Sequence, residues 1–359
     1  MLLSGFQPKA DEPPAQTEPE NKIEKVENIL VVRQHNQIGD MLCSLPLYAA
    51  LKKKYPDSSI TLVAAKTNYE IPFFEINPFL NRVIIFDKQN LKSIFHFFKK
   101  LRDRKYQIGI VPSTIKVSRT SHILNYLSGA KIRIGVKSID GVENSSHKLL
   151  NLKADFIWKG IHQRERNLDV VKQIGCDITE EEKQSLKLQF GNDDLREAER
   201  FINENFPDRS KKIIGFHTGA GKTTNTWDTR KFIELIKRLR VDYNNYILLT
   251  SGWTDEPIIK DVSSALSTSN INFTVAHNLR VRQLATLISR VNLFITNDTG
   301  TMHVAGSTEA EMISLFGPTN PNEWAPTGEN KYFIKSRTEN INDISVDEVF
   351  NLSKKLLEE

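Results

Sequence analysis

The sequence predicts an α/β protein with two domains, each a parallel β-sheet covered by helices on both faces. The first supporting observation is alternation. Apolar runs of strand length are separated by segments with helical spacing of apolar residues, over 28–174 and again over 186–357, an order typical of βαβ units. The second is length, because 359 residues exceed what one ordinary hydrophobic core accommodates. We therefore expect two domains of similar size that enclose a cleft.

The predicted domain boundaries follow from breaks in this alternation. Residues 1–22 contain a Pro- and Glu-rich stretch and are expected to form a disordered arm, since such a composition buries little apolar surface. The arm lacks the apolar region and cleavage site of a signal peptide. The first domain is expected over 23–188 and the second over 189–359. Near the join, an irregular stretch at 177–184 is expected to precede a strand at 186–190.

The composition limits the possible partners. A net charge of +5 suits an anionic substrate or membrane surface and is too small for a nucleic-acid-binding protein, so we expect no nucleic acid partner. No apolar run approaches the ~20 residues of a membrane-spanning helix. Cys43 and Cys176 show no metal-binding or redox spacing, which favours reduced core thiols in a cytoplasmic protein.

The segment 91–105 (LKSIFHFFKKLRDRK) is aromatic and basic and has two interpretations. A basic amphipathic helix can lie in the headgroup layer of a membrane. A helix with this pattern more often covers a sheet and keeps its lysines in water. The sequence leaves both interpretations open.

A polar turn at 297–303 follows the apolar run 293–296 and leads directly into a helical pattern. Such a turn directs unpaired N–H groups and a helix dipole at one point, which favours an anion and most often a phosphate. Asp298 and His303 flank this point. The alternative is an ordinary βα turn with an Asp cap. The N–H groups expected at the anion are those of Thr299, Gly300 and Thr301.

A second Gly-rich loop, 217–223, follows the strand predicted at 213–216. It resembles the phosphate-binding loop of ATPases but has the wrong spacing, with five residues between Gly215 and Gly221, and its helix begins too late. ATP hydrolysis is therefore not expected. Backbone N–H groups of such a loop can still hold phosphates, and the candidates here are Thr218, Gly219 and Lys222.

Asp40 is the candidate for acid–base chemistry. It follows Gly39 in the turn after the first strand, and ligands in parallel sheets bind at the carboxyl ends of strands. The alternative is a capping carboxylate in the first turn of a helix. No GxGxxG motif follows the first strand, which disfavours a dinucleotide-dependent dehydrogenase.

Together these segments resemble glycosyltransferase family 9, the bacterial heptosyltransferases of the lipopolysaccharide inner core. The resemblance extends from about residue 28 to 335, and no single motif is specific by itself. The matching motifs are Arg33-x4-Ile38-Gly39-Asp40, Arg133-Ile134-Gly135, His162-x2-Glu165-Arg166, His217-x-Gly219 with Trp227, Asn297-Asp298-Thr299-Gly300-x-Met302-His303, and Phe316-Gly317-Pro318-Thr319-x-Pro321-x2-Trp324.

The resemblance implies a GT-B fold, in which two Rossmann-like domains face each other and a C-terminal helix at 346–357 can return toward the first domain. It implies transfer of heptose from ADP-heptose with inversion and no metal, the nucleotide sugar being a substrate and not a cofactor. Asp40 is then the general base, and the turn from Asp298 to His303 holds the donor. The acceptor, a lipid-linked sugar or oligosaccharide at the cytoplasmic membrane face, is expected at Arg33, Ser113 and Arg133.

One departure from the family pattern leaves alternatives open. The family usually has Lys or Arg two residues before Trp227, where this chain has Asn225. Lys222 is expected to supply the missing charge. The alternatives are a family member that uses another nucleotide sugar or acceptor, or a catalytically silent protein that binds nucleotide sugars.

Overall fold

The computed structural model describes residues 25–34, 37–67, 70–89, 91–112, 114–186 and 188–358. The predicted arm at 1–22 and the candidate acceptor residue Ser113 lie outside these ranges. No helix in the described part of the chain is long and apolar enough to cross a membrane.

The first half of the chain forms a seven-stranded sheet. Its strand order is β3-β2-β1-β4-β5-β6, and β7 also pairs with β5. All pairs are parallel except β5 with β6. The elements are β1 (Asn28–Arg33), α1 (Ile38–Leu42), α2 (Leu45–Lys54), β2 (Ser59–Ala65), α3 (Glu70–Ile76), β3 (Arg82–Phe86), α4 (Leu91–Leu101), β4 (Ile108–Ile110), α5 (Arg119–Leu127), β5 (Ile132–Ile139), β6 (Val142–Glu143), β7 (Leu152–Phe156), α6 (Gln163–Lys172) and α7 (Glu180–Gln184).

The second half forms a six-stranded, fully parallel sheet in the order β10-β9-β8-β11-β12-β13. Its elements are α8 (Asn192–Asn205), β8 (Ile213–His217), α9 (Thr229–Tyr243), β9 (Tyr246–Ser251), α10 (Glu256–Thr268), β10 (Thr274–His277), α11 (Val281–Ile288), β11 (Leu293–Asn297), α12 (Gly300–Gly306), β12 (Glu311–Phe316), α13 (Pro321–Trp324), β13 (Lys331–Lys335) and α14 (Val346–Glu358). The predicted α/β class with parallel sheets is thus confirmed.

The strand order reverses between β1 and β4 in the first sheet and between β8 and β11 in the second. Loops on either side of such a reversal diverge and leave a crevice at the carboxyl ends of the strands. In both sheets the strands at this point are almost fully buried. This burial on two faces explains why their sequences are nearly continuous apolar runs.

The two halves contact each other through α1 and α12. A continuous apolar core runs through this contact and includes Ile38 and Met41 of α1 and Met302 and Val304 of α12. Since each helix follows a strand at the reversal point, the contact brings the two ligand-binding edges together.

The segment around the join differs from the prediction. The described residues at 186 and 188–190 are not in a strand, and residues 180–184 form α7 where an irregular stretch was expected. A capping box explains this helix, because Thr179 Oγ1 accepts from the N–H of Glu182 and the Glu182 carboxylate accepts from the N–H of Thr179. The exact domain boundary stays a prediction.

The C-terminal helix packs on its own half of the molecule. The expectation of a return toward the first domain is therefore corrected: α14 packs on α9 and on strands β11 and β12. Val349, Phe350 and Leu357 of α14 belong to the apolar core around Leu235 and Leu239. Burial of these apolar side chains against α9 holds α14 on the second half of the molecule.

Candidate active site

A cavity of about 560 Å³ lies at the carboxyl end of the first sheet. Most of its lining comes from the loops after β1 and β4, and one residue of the second half, Lys222, reaches it. The cavity therefore joins the two halves at the place expected for a ligand. Its polar lining comprises Arg33, Gln34, Gln37, Asp40, Thr67, Thr114, Lys116, Ser118, Ser121 and Lys222.

Asp40 lies in the first turn of α1 and faces this cavity. Its carboxylate Oδ1 is 3.5 Å from the Arg33 guanidinium, and both side chains are nearly buried. Among the residues that the structure describes, no donor makes a hydrogen bond to that oxygen. Asp40 therefore lines the cavity with its Oδ1 buried beside Arg33 and without a hydrogen-bond donor among the described residues.

Asn167 of α6 holds Arg33 in place. Its Oδ1 accepts a hydrogen bond of 3.1 Å from Arg33, while its Nδ2 donates to the carbonyl oxygens of Gln163 and Cys43. Asn167 was not among the site residues predicted from the sequence. Its one sequence signal is its position next to Leu168 in α6, and its burial is visible only in the structure.

In the second half, Asn297 joins the two Gly-containing loops. Its Nδ2 donates to the carbonyl oxygens of Thr218 and Gly219, at 3.0 and 3.2 Å, and its Oδ1 accepts from the N–H of Trp227. Asn297 is fully buried, so these bonds are shielded from water. The structure thus brings the predicted donor residues Thr218 and Gly219 beside the turn at 298–301.

The turn itself is only partly as expected. Thr299 caps α12, and its Oγ1 accepts from the N–H of Thr301 at 3.1 Å. That N–H is therefore engaged, and the expected set of three donors is reduced to those of Thr299 and Gly300. The hydroxyl of Thr301 lies 3.3 Å from Nε2 of His217, a buried residue at the end of β8.

Asn225 occupies the position of the missing family cation and contacts Asp298. Its Nδ2 donates to Asp298 Oδ2 at 2.8 Å and to the Asp298 carbonyl oxygen at 3.3 Å. Burial raises the pKa of Asp298, whereas a hydrogen bond from Thr319 and the charge of Lys222 act in the opposite direction. Asp298 therefore serves to hold the turn to the loop that carries Lys222.

Gly39 and Gly300 allow α1 and α12 to approach each other. A Cβ atom on Gly300 would lie 2.7 Å from Cγ2 of Ile38, and one on Gly39 would clash with the His303 ring. Gly300, whose N–H group is expected at the anion, thus also makes room for the first domain.

His303 lies at this helix contact and is not among the residues that line the cavity. Its Nδ1 is 3.8 Å from Sγ of Cys43, and its ring meets Trp324 edge-on at 6.0 Å. Burial, together with nearby His162, lowers the pKa of His303 to about 4. The imidazole is therefore neutral at physiological pH and packs as an uncharged side chain between Gly39 and Trp324.

Arg133 is not brought to the cavity, which corrects the predicted acceptor group. It is the second residue of β5 and so lies near the amino end of that strand. Its guanidinium donates to the carbonyl oxygens of Leu149 and Ala130 and lies over the ring of Tyr126. These contacts hold β5 to the segment before β7. Ser113 is outside the described residues, although Pro112 and Thr114 on either side line the cavity.

Two motifs of unassigned role connect the halves. Arg166 makes an ion pair of 2.5 Å with Glu323, which also accepts from the N–H of Gly160. Nε2 of His162 donates to the carbonyl oxygen of Ala325 at 2.9 Å. The segments around His162 and Trp324 therefore fix the relative placement of the two halves.

No group of three or more His, Cys, Asp or Glu side chains suited to a metal ion occurs among the described residues.

Two mainly parallel sheets with a cavity at the carboxyl ends of their strands form the GT-B fold, which places a ligand between the two halves. The family model "Glycosyltransferase family 9 (heptosyltransferase)" matches residues 94–352 of the chain. The chain belongs to glycosyltransferase family 9.

Individual relatives agree with this placement. The chain is similar to lipopolysaccharide heptosyltransferase 3 of Escherichia coli, with 24% identity over 81% of this chain and 84% of the relative. Its fold is similar to the crystal structure of the glycosyl transferase family 9 from Veillonella parvula, with a TM-score of 0.76, 20% identity and coverage of 93% and 98% of the two chains. It also matches E. coli heptosyltransferase WaaC with ADP, with a TM-score of 0.70, 17% identity and coverage of 92% and 99%.

The helix contact predicts an energetic coupling between Gly39 and His303. Gly39→Ala should lower the free energy of unfolding by about 1–3 kcal/mol, the usual effect of overpacking, because the new methyl group meets the imidazole. Gly39→Ala/His303→Ala should recover much of that loss. Urea denaturation of the four proteins gives the coupling energy. Gly221→Ala is the matched control, since its methyl group meets nothing within 4 Å. Strictly additive effects would contradict the contact.

Proposed function

We propose that the chain is an inverting, metal-independent glycosyltransferase that transfers heptose from ADP-heptose to an acceptor of the lipopolysaccharide inner core. One observation carries the proposal: Asp40 of the first half and Lys222 of the second line the same cavity. A carboxylate from one half and a cation from the other, in one cavity, suit the two groups that a glycosyl transfer must stabilise. The acceptor hydroxyl loses a proton at one end, and a diphosphate leaves at the other.

The donor is held by the second half. Lys222 is exposed to the cleft and can reach a diphosphate as a point charge. The N–H groups of Thr299 and Gly300, at the start of α12, add partial positive charge there. Asp298 is bonded to Asn225 and so acts on the phosphates only by orienting the turn.

The reaction then follows from the placement of Asp40. The Asp40 carboxylate accepts the proton of the acceptor hydroxyl, and the hydroxyl oxygen attacks the anomeric carbon from the side opposite the diphosphate. A bond forms between the acceptor oxygen and that carbon, and the bond from the carbon to the diphosphate oxygen breaks. ADP leaves with the electron pair and is stabilised by Lys222. Arg33 orients the Asp40 carboxylate and does not itself react.

The first half supplies the acceptor side. Its part of the cavity carries the hydroxyl groups of Thr67, Thr114, Ser118 and Ser121 and the amide of Gln34. The buried amide atoms of Gln34 have no hydrogen-bond partner among the described residues. Hydroxyl and amide groups of this kind match a sugar acceptor, and Lys116 adds a cation at the rim.

A peripheral position at the cytoplasmic membrane face is part of the proposal and is supported by α4. Phe97 and Leu101 of this helix are buried under the sheet, as a sheet-covering helix requires. Phe95 is 79% exposed, and Lys99 and Lys100 are exposed beside it. An outward Phe with two lysines fits an anionic headgroup layer.

The proposed reaction predicts ADP release from ADP-heptose in the presence of a truncated lipopolysaccharide core acceptor and of EDTA. The measurement combines ADP release with NMR of the product, which should show the inverted anomeric configuration. UDP-, GDP- and dTDP-sugars serve as competing donors, and turnover of one of these instead would favour another family activity. Loss of turnover in EDTA that Mg²⁺ restores would contradict the metal-free mechanism. Donor binding without any turnover would favour a silent binding protein.

Asp40→Asn should lower kcat by about 10²–10⁴, the usual contribution of a positioned general base, because the amide cannot take the proton. Donor affinity, measured by calorimetry on the same variant, should be nearly unchanged, since Asp40 lies on the acceptor side. A variant that kept more than roughly a third of the wild-type kcat, far above that range, would exclude Asp40 as the base.

Lys222→Ala should weaken donor binding by about 1.5–3 kcal/mol, the range for a hydrogen bond to a charged group. Lys116→Ala is the matched control, because Lys116 lines the same cavity from the first half. This variant should leave the affinity for ADP unchanged. Asn225→Lys should bind ADP equally well or better. Equal ADP affinity in Lys222→Ala and wild type would mean that another cationic residue binds the diphosphate.

A further inference from the structure

Trp253 is the one large aromatic side chain of the second half that stands almost free in water among the described residues. It is 77% exposed, whereas Trp158 and Trp227 are 1% and 0% exposed. Large aromatic rings are usually well buried, because their apolar area is the largest of any side chain. The position of Trp253 therefore needs an explanation.

Trp253 lies where a ligand of this sheet is expected. It begins a short 3-10 turn, Trp253–Asp255, two residues after the end of β9. In the sheet, β9 is the neighbour of β8, and β8 is the neighbour of β11. Strands are spaced by about 4.8 Å, so the loop after β9 is about 10 Å from the loop after β11. That separation matches the reach from the diphosphate of a nucleotide to its base.

The orientation of the indole is supported from the neighbouring strand. His277, the last residue of β10, meets the Trp253 ring edge-on at 5.9 Å between centroids. Both nitrogens of that imidazole are engaged, Nδ1 with Ser251 Oγ at 2.7 Å and Nε2 with Asn278 Nδ2 at 2.6 Å. A fixed imidazole holds the indole in place, and the 77% exposure of Trp253 leaves most of the indole surface available for stacking.

Asp255 connects the Trp253 turn to the proposed phosphate loop. Its Oδ2 accepts from the N–H of Gly252 at 2.8 Å and lies 3.7 Å from Nε2 of His217. Its other oxygen is so close to Gly219 that a Cβ atom there would clash with it. Asp255 therefore packs the Trp253 turn against the loop after β8. Asp255 was not among the site residues predicted from the sequence.

We propose that Trp253, supported by His277, is the platform on which the base of the donor nucleotide stacks, and that it selects purine over pyrimidine nucleotides. The proposal rests on the proposed function, since it assumes a diphosphate at the loops after β8 and β11. Every base has a π-face, and stacking gains with the area that is covered. A two-ring purine covers more of an indole than a one-ring pyrimidine does, which gives the preference.

The experiment measures equilibrium binding of ADP, GDP, UDP, CDP and inorganic pyrophosphate by calorimetry. Trp253→Ala should lower the affinity for ADP and GDP by about 5- to 150-fold, the usual effect of losing one stacked ring, and the affinity for UDP and CDP by less. Pyrophosphate has no base and should bind equally well. Trp253→Phe should restore most of the purine affinity. Val241→Ala, at another side chain that is 82% exposed, is the matched control and should change nothing.

Turnover separates this proposal from the proposed function. With ADP-heptose, Trp253→Ala should raise KM and leave kcat unchanged at saturation. Wild-type-like ADP affinity in Trp253→Ala, with turnover intact, would overturn the platform and leave the proposed function standing. Equal loss of pyrophosphate and ADP binding, not restored by Trp253→Phe, would also overturn it, because the side chain would then only maintain the loop. Wild-type protein that binds none of the four nucleotides would overturn both.

Discussion

The close approach of α1 and α12 is the constraint on which the rest of the site depends. It is possible because Gly39 and Gly300 carry no side chain where Ile38 and His303 come nearest. The same contact continues the apolar core from one half to the other. Since each helix begins just after a central strand, the contact between the two helices also fixes the distance between Asp40 and the loops of the second sheet.

Few charges face the cavity, and each described one has a distinct environment. Asp40 is paired with Arg33, which is itself held by Asn167. Lys222 is exposed and comes from the other half of the chain. The substitution of a family cation by Asn225 fits this pattern, because the amide satisfies Asp298 without adding charge.

The contacts outside the cavity explain motifs that carry no chemistry. Arg166 with Glu323 and His162 with Ala325 cross between the halves at a second place. This second contact restricts rotation of the two halves about the α1–α12 contact. Such a restriction suits a site assembled from both halves. These residues hold the two halves in place, and chemical reasoning from the sequence alone assigns them no role.

The sequence by itself determined the elements whose pattern is local. The strands β1, β8 and β11 are apolar runs buried on both faces, and the polar turns that follow them contain Asp40, Thr218 and Thr299. Helix spacing and caps are also local, although the capping box at Thr179 was overlooked and a strand was predicted at 186–190, where the described residues form none.

Only the tertiary structure decided what each side chain contacts. It assigned Arg133 to backbone carbonyls near β7, Gly300 to the first domain and α14 to α9. It also brought Asp255 against Gly219 and Asn225 against Asp298, pairs separated by 36 and 73 positions along the chain. The physical reason is that a residue's type and spacing fix its own backbone preference, whereas its partner depends on how distant segments pack.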